Sequence, residues 1–301
     1  MFYTAYGLRI QSELSFPDLL MASPGEPDVS IHYGPVPDAL PHPRGSGGAY
    51  QASPGAFLLM VPGIARYLVC DGREICIDPA PSSTENEVRI FMLGSAMGAL
   101  LHQRQRLVLH ASAMQTDLGA VLFAGHSGAG KSTLLAAMLK RGYRMLADDI
   151  TVVQFGADGV PVAIPGYPCT RLWADAAAKL DHPTELLRRV REPLDKYLLP
   201  VHQFCAEALP LRAIFALGIH NETDIRVESL EPMDGFQVLA FHTYRRRFVD
   251  ALGVGQPHFR LVSAVAKEVP LTRITRPTSP FLLQPLVDCI EAQLMGGINS
   301  T

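Results

Sequence analysis

The sequence predicts an α/β fold of α+β character in two parts, a smaller β-rich part over residues 1–81 and a larger α/β part over residues 82–301. Three observations carry this. Up to Pro81 the chain runs in short apolar segments such as FLLMV and RYLVC, punctuated by Pro, Gly and Asp-Gly, with no long helical period. A helix signature starts just after Pro81. Beyond it, apolar strands alternate with helical stretches up to the C-terminal region.

Within the first part, PHPRGSGGAYQASPG, from Pro41 to Gly55, is rich in Gly, Pro and Ser and reads as an exposed loop. Cys70 and Cys76 flank the turn-like Asp71-Gly72, placing them to pack across a hairpin. At Thr84-Glu85-Asn86-Glu87 the spacing fits a capping box, in which the Thr oxygen accepts from a backbone N–H and the Glu reaches back. Val88, Phe91, Met92, Ala96, Ala99 and Leu100 then keep a helical rhythm to about Arg104, a packed connector between the parts.

RLVLHASAM and GAVLFAG, separated by the turn-prone QTDLG, read as a strand hairpin ending in a glycine-rich loop. A helix follows from about Lys131 to Arg141, with Gly142 as its left-handed stop. YRMLADD is a further strand that ends in two carboxylates. ITVVQF and VPVAI flank Gly156-Ala157-Asp158-Gly159 as another hairpin. Later come the strand LRAIFALGI, a helix within GFQVLAFHTYRRRFVDAL, and a last helix from about Phe281 to Met295.

Composition narrows the function classes. Nearly half of the 301 residues are hydrophobic and 18% are charged, enough for a substantial core and far from the polar bias of disordered chains. A net charge of −3, with Arg245-Arg246-Arg247 as the one basic run, argues against nucleic acid or an anionic membrane as partner. No stretch approaches the roughly 18 apolar residues of a membrane span. The five cysteines are odd in number and form no C-x-x-C pair, so they read as reduced thiols of a cytoplasmic protein.

The chemistry concentrates in Gly125-His126-Ser127-Gly128-Ala129-Gly130-Lys131-Ser132, a G-x-x-x-x-G-K-S loop between an apolar strand and an Ala/Leu-rich helix. Such a P-loop (Walker A) folds backbone N–H groups around an anion, which side chains at the glycine positions would block. The lysine reaches the outer phosphates, the hydroxyl ligates Mg²⁺, and the positive helix end faces the charge. ATP and Mg²⁺ are the expected cofactors. Gly125, Ser127, Gly128, Ala129, Gly130, Lys131, Ser132 and the following Thr133 are the expected nucleotide-binding residues.

Asp148 and Asp149 end a strand that such a loop can lie beside. Adjacent strand residues point to opposite sides, so one carboxylate can face the metal and the other an acceptor, although a turn or helix cap is the bland alternative. His110, alone in an apolar strand, reads from spacing as a hydrogen-bonded core histidine.

From His110 to Asp149, the series LHASAM, AGHSGAGKS and LKRGYRMLADD resembles the catalytic core of HPr kinase/phosphorylase. The resemblance covers about forty residues. It implies the phosphoenolpyruvate-carboxykinase-like type of P-loop core with a mixed sheet. It also implies Lys131 on the phosphates, Ser132 and Asp149 on Mg²⁺, Asp148 as the base for an acceptor serine, and His110 orienting the acidic pair. Where that family carries E-x-R-G-x-G, this chain has IPGYPCTRLWADA, which speaks against phosphorolysis and against HPr as substrate. YTAYGLRIQSELSFPDL, TRLW, KYLLP and HTYRRRF are more similar to HPr-kinase-related tailoring kinases of lasso-peptide pathways.

Among the basic residues near those segments, Lys196 and Arg212 included, Arg171 and Arg245 are the expected clamps on a phosphate or peptide carboxylate, while the rest of the arginine run reads as a solvated face. The expected function is an ATP-dependent serine kinase acting near the C-terminus of a precursor peptide, with the N-terminal part as a candidate for substrate recognition. An HPr-like protein or a small molecule is the alternative acceptor. A non-catalytic nucleotide-binding switch is the alternative class, and a homo-oligomer stays open.

Overall fold

The structure is a computed structural model and describes residues 1–180, 183–191, 194–279 and 282–296. It is a mixed α+β architecture with three sheets.

The nine strands between Phe2 and Pro79 form one sheet in the order 20–21, 2–5, 8–12, 29–33, 74–79, 65–70, 56–61, 50–53, 45–47. Its alternating burial matches the period-2 apolar pattern. Two details depart from expectation. Residues 41–55 are not all loop, because Gly45–Gly47 and Tyr50–Ser53 make an edge hairpin. Tyr50 anchors it, its ring 5.5 Å from that of Phe57 and 4.8 Å from that of Phe248, whereas glycine, lacking a side chain, hid the strand period. In the hairpin of Ala65–Cys70 and Glu74–Pro79, Cys70 faces Glu74 and Cys76 faces Leu68, so the two thiols are not opposite each other.

Thr84 caps the connecting helix through the expected box with Glu87. Glu85–Phe91 leads through a π-helical turn, Met92–Ala96, into Met97–Gln103. This helix has an apolar face on the N-terminal sheet. Met92, Ala96, Met97, Ala99 and Leu100 join Tyr3, Phe16, Phe57, Tyr67, Ile75 and Ile77 in one buried cluster, which extends to Val152, Ile164 and Tyr167 of the second part.

The second part is built on a nine-stranded mixed sheet. Gly119–Gly125 lies parallel to Leu209–His220, which is parallel to Leu271–Pro277, while the other pairings are antiparallel. Strand alternation builds two apolar layers. Ala120, Leu122 and Ala124 pack with the helices Pro232–Phe241 and Gly255–Glu268, and Val121 and Phe123 with the helices Lys131–Lys140 and Leu283–Gly296. The last helix thus matches its expected span, except that Phe281 lies outside the described residues. Cys169–Trp173, Arg188–Arg191 and Leu194–Pro200 form a third, small antiparallel sheet.

Two expected elements are broken, for one reason. RLVLHASAM is two strands, Leu107–Leu109 and Ala111–Thr116, with His110 at the bend. The helix expected within 235–252 is also two, Pro232–Phe241 and Arg247–Ala251. Between them the chain runs beside Leu107–Leu109, where Tyr244 N–H donates to Val108 O and His110 N–H to His242 O, both at 2.8 Å. Buried backbone groups at the bend thereby find partners, which a continuous helix would not have supplied.

Candidate active site

The glycine-rich loop leaves the strand Gly119–Gly125 and enters the helix at Lys131. Gly128 and Gly130 sit at φ 87° and 100°, the left-handed region that disfavours other residues. A side chain at Gly128 would meet nothing within 4 Å, so it is backbone conformation that demands glycine there. The helix end carries no side-chain cap, leaving its N–H groups facing the cleft.

Lys131 is buried. Its ammonium donates to Gly125 O at 2.7 Å and His126 O at 3.0 Å and lies 3.2 Å from His110 Nε2. Burial is the largest influence on it and, with the charge of Lys196, outweighs Asp148 and Asp149 to pull its pKa down to about 8. Because His110 Nε2 accepts from the lysine, the imidazole proton belongs on Nδ1. Nδ1 lies 3.0 Å from Asp149 O and 3.3 Å from Asp149 Oδ1.

Asp148 lies inside a ring of donors. Ser112 Oγ donates to Oδ1 at 2.5 Å and Ser132 Oγ at 3.0 Å, while Thr170 Oγ1 donates to Oδ2 at 2.6 Å and Arg171 N–H at 3.3 Å. Asp148 as a residue is 6% exposed. Asp149 is different. The strand Arg144–Ala147 ends before the pair, and Asp149 has φ 68°, so a left-handed turn separates the two carboxylates instead of strand alternation. Arg171 Nη1 donates to Asp149 Oδ2 at 3.0 Å and Arg171 Nη2 to Tyr167 OH at 3.3 Å. Burial raises the Asp149 carboxyl, but the His110 hydrogen bond and the charges of Arg171 and Lys196 outweigh it and hold it well below the usual carboxylate range. Asp148 thus accepts from the loop hydroxyl of Ser132, whereas Asp149 lines the loop's cleft together with Lys131 and Ser132 and is held by His110 and Arg171.

Two clefts meet here. One, about 300 Å³, is lined by Ser127, Gly128, Gly130, Lys131, Ser132 and Thr133 on one side and by Trp173, Asp175, Arg276 and Thr278 on the other. The second, about 590 Å³, runs past His126, Phe91, Val190, Phe241, Tyr244 and Arg245. His110, Ser127, Asp149, Arg171 and Lys196 line both. Of the two expected clamps, Arg171 is thus at the junction, whereas Arg245 is exposed, lines the second cleft but not the first, and lies 5.8 Å over the Tyr244 ring. The loop's His126 packs on Phe241 and His242, and burial pulls the His242 pKa down to about 4.

Ser112, Thr170 and Arg276 carry no sequence signal. Arg276, on the strand Leu271–Pro277, donates from Nη2 to Ala129 O of the loop at 3.2 Å and from Nη1 to Pro277 O at 2.8 Å. Hydroxyl residues in apolar strands are common, and only the fold aims Ser112 and Thr170 at one carboxylate. Among the described residues, no cluster of three His, Cys, Asp or Glu could hold a metal, and no helix is long and apolar enough to cross a membrane.

No family model and no curated protein matches the chain. A solved structure of the HPr(Ser) kinase/phosphatase from Coxiella burnetii is similar to it at 13% identity and a TM-score of 0.33, over 64% of this chain and 94% of the other. A likeness that slight assigns neither family nor activity.

Proposed function

We propose that the chain is an ATP- and Mg²⁺-dependent phosphotransferase that modifies a serine hydroxyl of a peptide. The observation that carries the reading is the 3.0 Å hydrogen bond from loop Ser132 to Asp148, with Asp149 on the wall shared by two clefts. A phosphate-binding loop next to an acid, facing a second cleft across another acid, is the minimum that phosphoryl transfer to a hydroxyl needs.

The donor set fits Mg²⁺. A hydroxyl and a carboxylate are hard oxygen ligands, and this ion takes one or two carboxylates and completes its shell with phosphate oxygens and water. Ser132, on the cleft, would hold it with Asp148 steadying the hydroxyl from behind, and when bound it would neutralise charge on the outer phosphates. The loop N–H groups, Lys131 and the helix end bind the phosphates. Asp149, ionised at neutral pH, orients the acceptor hydroxyl and takes its proton, while His110 and Arg171 hold the carboxylate in place. This exchanges the roles that the resemblance implies for Asp148 and Asp149. A base this acidic suits a loose transition state, in which the acceptor proton is released late.

Support for a peptide acceptor comes from the likeness of TRLW, KYLLP and HTYRRRF to lasso-peptide tailoring kinases, and from the second cleft's apolar and aromatic walls. Incubating the protein with ATP, Mg²⁺ and the peptide encoded beside its gene, then weighing the peptide by mass spectrometry, tests the reading. Phosphate on serine is expected. ATP bound but never consumed, with or without peptide, would replace this reading by a nucleotide-binding switch.

A further inference from the structure

Lys196 has a position that none of the roles above uses. It lies on the strand Leu194–Pro200, directly opposite Trp173 in the register with Cys169–Trp173, where Arg171 pairs with Leu198. Directly opposed residues of an antiparallel ladder share a face, and so do residues two apart on one strand. Arg171, Trp173 and Lys196 are therefore delivered together to the face that looks onto the loop.

The other cations of the junction are already engaged. Lys131 is held by two loop carbonyls and His110, Arg171 by Asp149 and Tyr167, and Arg276 by Ala129 O and Pro277 O. Among the described residues, the Lys196 ammonium makes no ion pair or hydrogen bond, and it lies 5.8 Å over the Trp173 ring. It lines both clefts. Its four-carbon stem and rotatable ammonium suit a charge that must follow a moving group.

We infer that Lys196 is a catalytic cation that contacts the phosphoryl group in transit between the two clefts. This rests on the phosphotransfer reading. In that step the bond from the terminal phosphorus to the bridging oxygen breaks and its electron pair leaves with ADP. The acceptor oxygen bonds to phosphorus, and its proton passes to Asp149. Negative charge spreads over the three equatorial oxygens of the group in flight, and a cation reaching both clefts opposes it where it develops.

The test compares binding of ADP with Mg²⁺ alone and with added aluminium fluoride, which mimics the phosphoryl group in flight, for the wild type and for Lys196→Met and Lys196→Arg. Wild-type protein is expected to bind ADP more tightly when fluoride is present. Lys196→Met should keep its ADP affinity within about threefold and lose most of that tightening, with a fall in turnover on the order of 10²-fold. Lys196→Arg should restore part of both. Undiminished tightening in Lys196→Met, or an equal loss for ADP with and without fluoride, would overturn the assignment. Wild-type protein that binds no ADP would refute the nucleotide reading and Lys196's role along with it.

Discussion

The Ser132 hydroxyl donates to Asp148 Oδ1 at 3.0 Å, while Asp149, the next residue, turns through a positive φ to meet His110 and Arg171. A one-residue step thus separates two carboxylates with different partners. Asp148→Asn should raise the Mg²⁺ or Mn²⁺ concentration needed to tighten ADP binding by about 10–100-fold, read by Mn²⁺ paramagnetic resonance as well as by turnover. Asp149→Asn should leave that binding near normal and lower turnover by about 10²–10⁴-fold. The reverse pattern would return the base to Asp148.

Ser112 and Thr170 satisfy lone pairs of a carboxylate that is nearly cut off from water. Thr170→Val keeps the shape and removes the donor, leaving a buried carboxylate oxygen with one hydrogen bond fewer. A loss of about 1–3 kcal/mol is expected in urea unfolding, together with weaker Mn²⁺ binding in the presence of ADP. Thr170→Ser should recover most of both. Equal stability for Val and Thr would mean that Asp148 does not depend on this bond.

How much of this was legible in the sequence depends on whether the signal was contiguous. Gly125 to Ser132 states its chemistry in eight adjacent residues, because one loop must do all the wrapping, and the capping box at Thr84 and Glu87 is equally local. His110 was visible as a residue but not as a bend, since the pairing that breaks the strand comes from residues 242–244, far along the chain. The same pairing split a helix that the apolar rhythm made continuous. The turn that parts Asp148 from Asp149 was hidden because alternation holds only inside a strand, and the strand ends at Ala147. Lys196 shares a face with Arg171 and Trp173 only through cross-strand register, which no local pattern encodes.

Lys131 titrates near the working range, its pKa pulled down to about 8 chiefly by burial. The sign follows from which state binds the proton more tightly. The folded pKa lies below the unfolded value near 10.4, so between them the unfolded chain carries more protons and this group makes stability rise with pH. The buried charge destabilises below pH 8 and is relieved above it. Nucleotide phosphates favour the ammonium, so ADP binding should take up close to one proton near pH 9 and almost none at pH 7. Calorimetry in buffers of different ionisation enthalpy reads this directly, and Lys131→Met should abolish the uptake. Uptake that persists in Lys131→Met would assign it elsewhere.

The N-terminal sheet bears on the site through packing. Tyr6, held by its N–H on Pro165 O at 2.9 Å, sets its ring edge-on to Tyr167 at 6.2 Å, and Tyr167 OH accepts from Arg171, which holds Asp149. Val88, Met92, Ala96, Met97 and Leu100 bury their side chains in the same apolar cluster as that sheet. Deleting residues 1–81 would leave this helix face in water, so the truncated chain should lose cooperative thermal unfolding and the near-ultraviolet signal of ordered aromatics. A folded, nucleotide-binding truncation would show that the sheet is dispensable for the core. A subtler pair isolates the link to the site. Tyr6→Phe keeps the ring and should change little, whereas Tyr6→Ala should cost about 3–5 kcal/mol, as removal of a buried ring does, and lower turnover even at temperatures where the variant stays folded. Turnover in folded Tyr6→Ala equal to that of Tyr6→Phe would mean that Arg171 holds Asp149 without support from the N-terminal sheet.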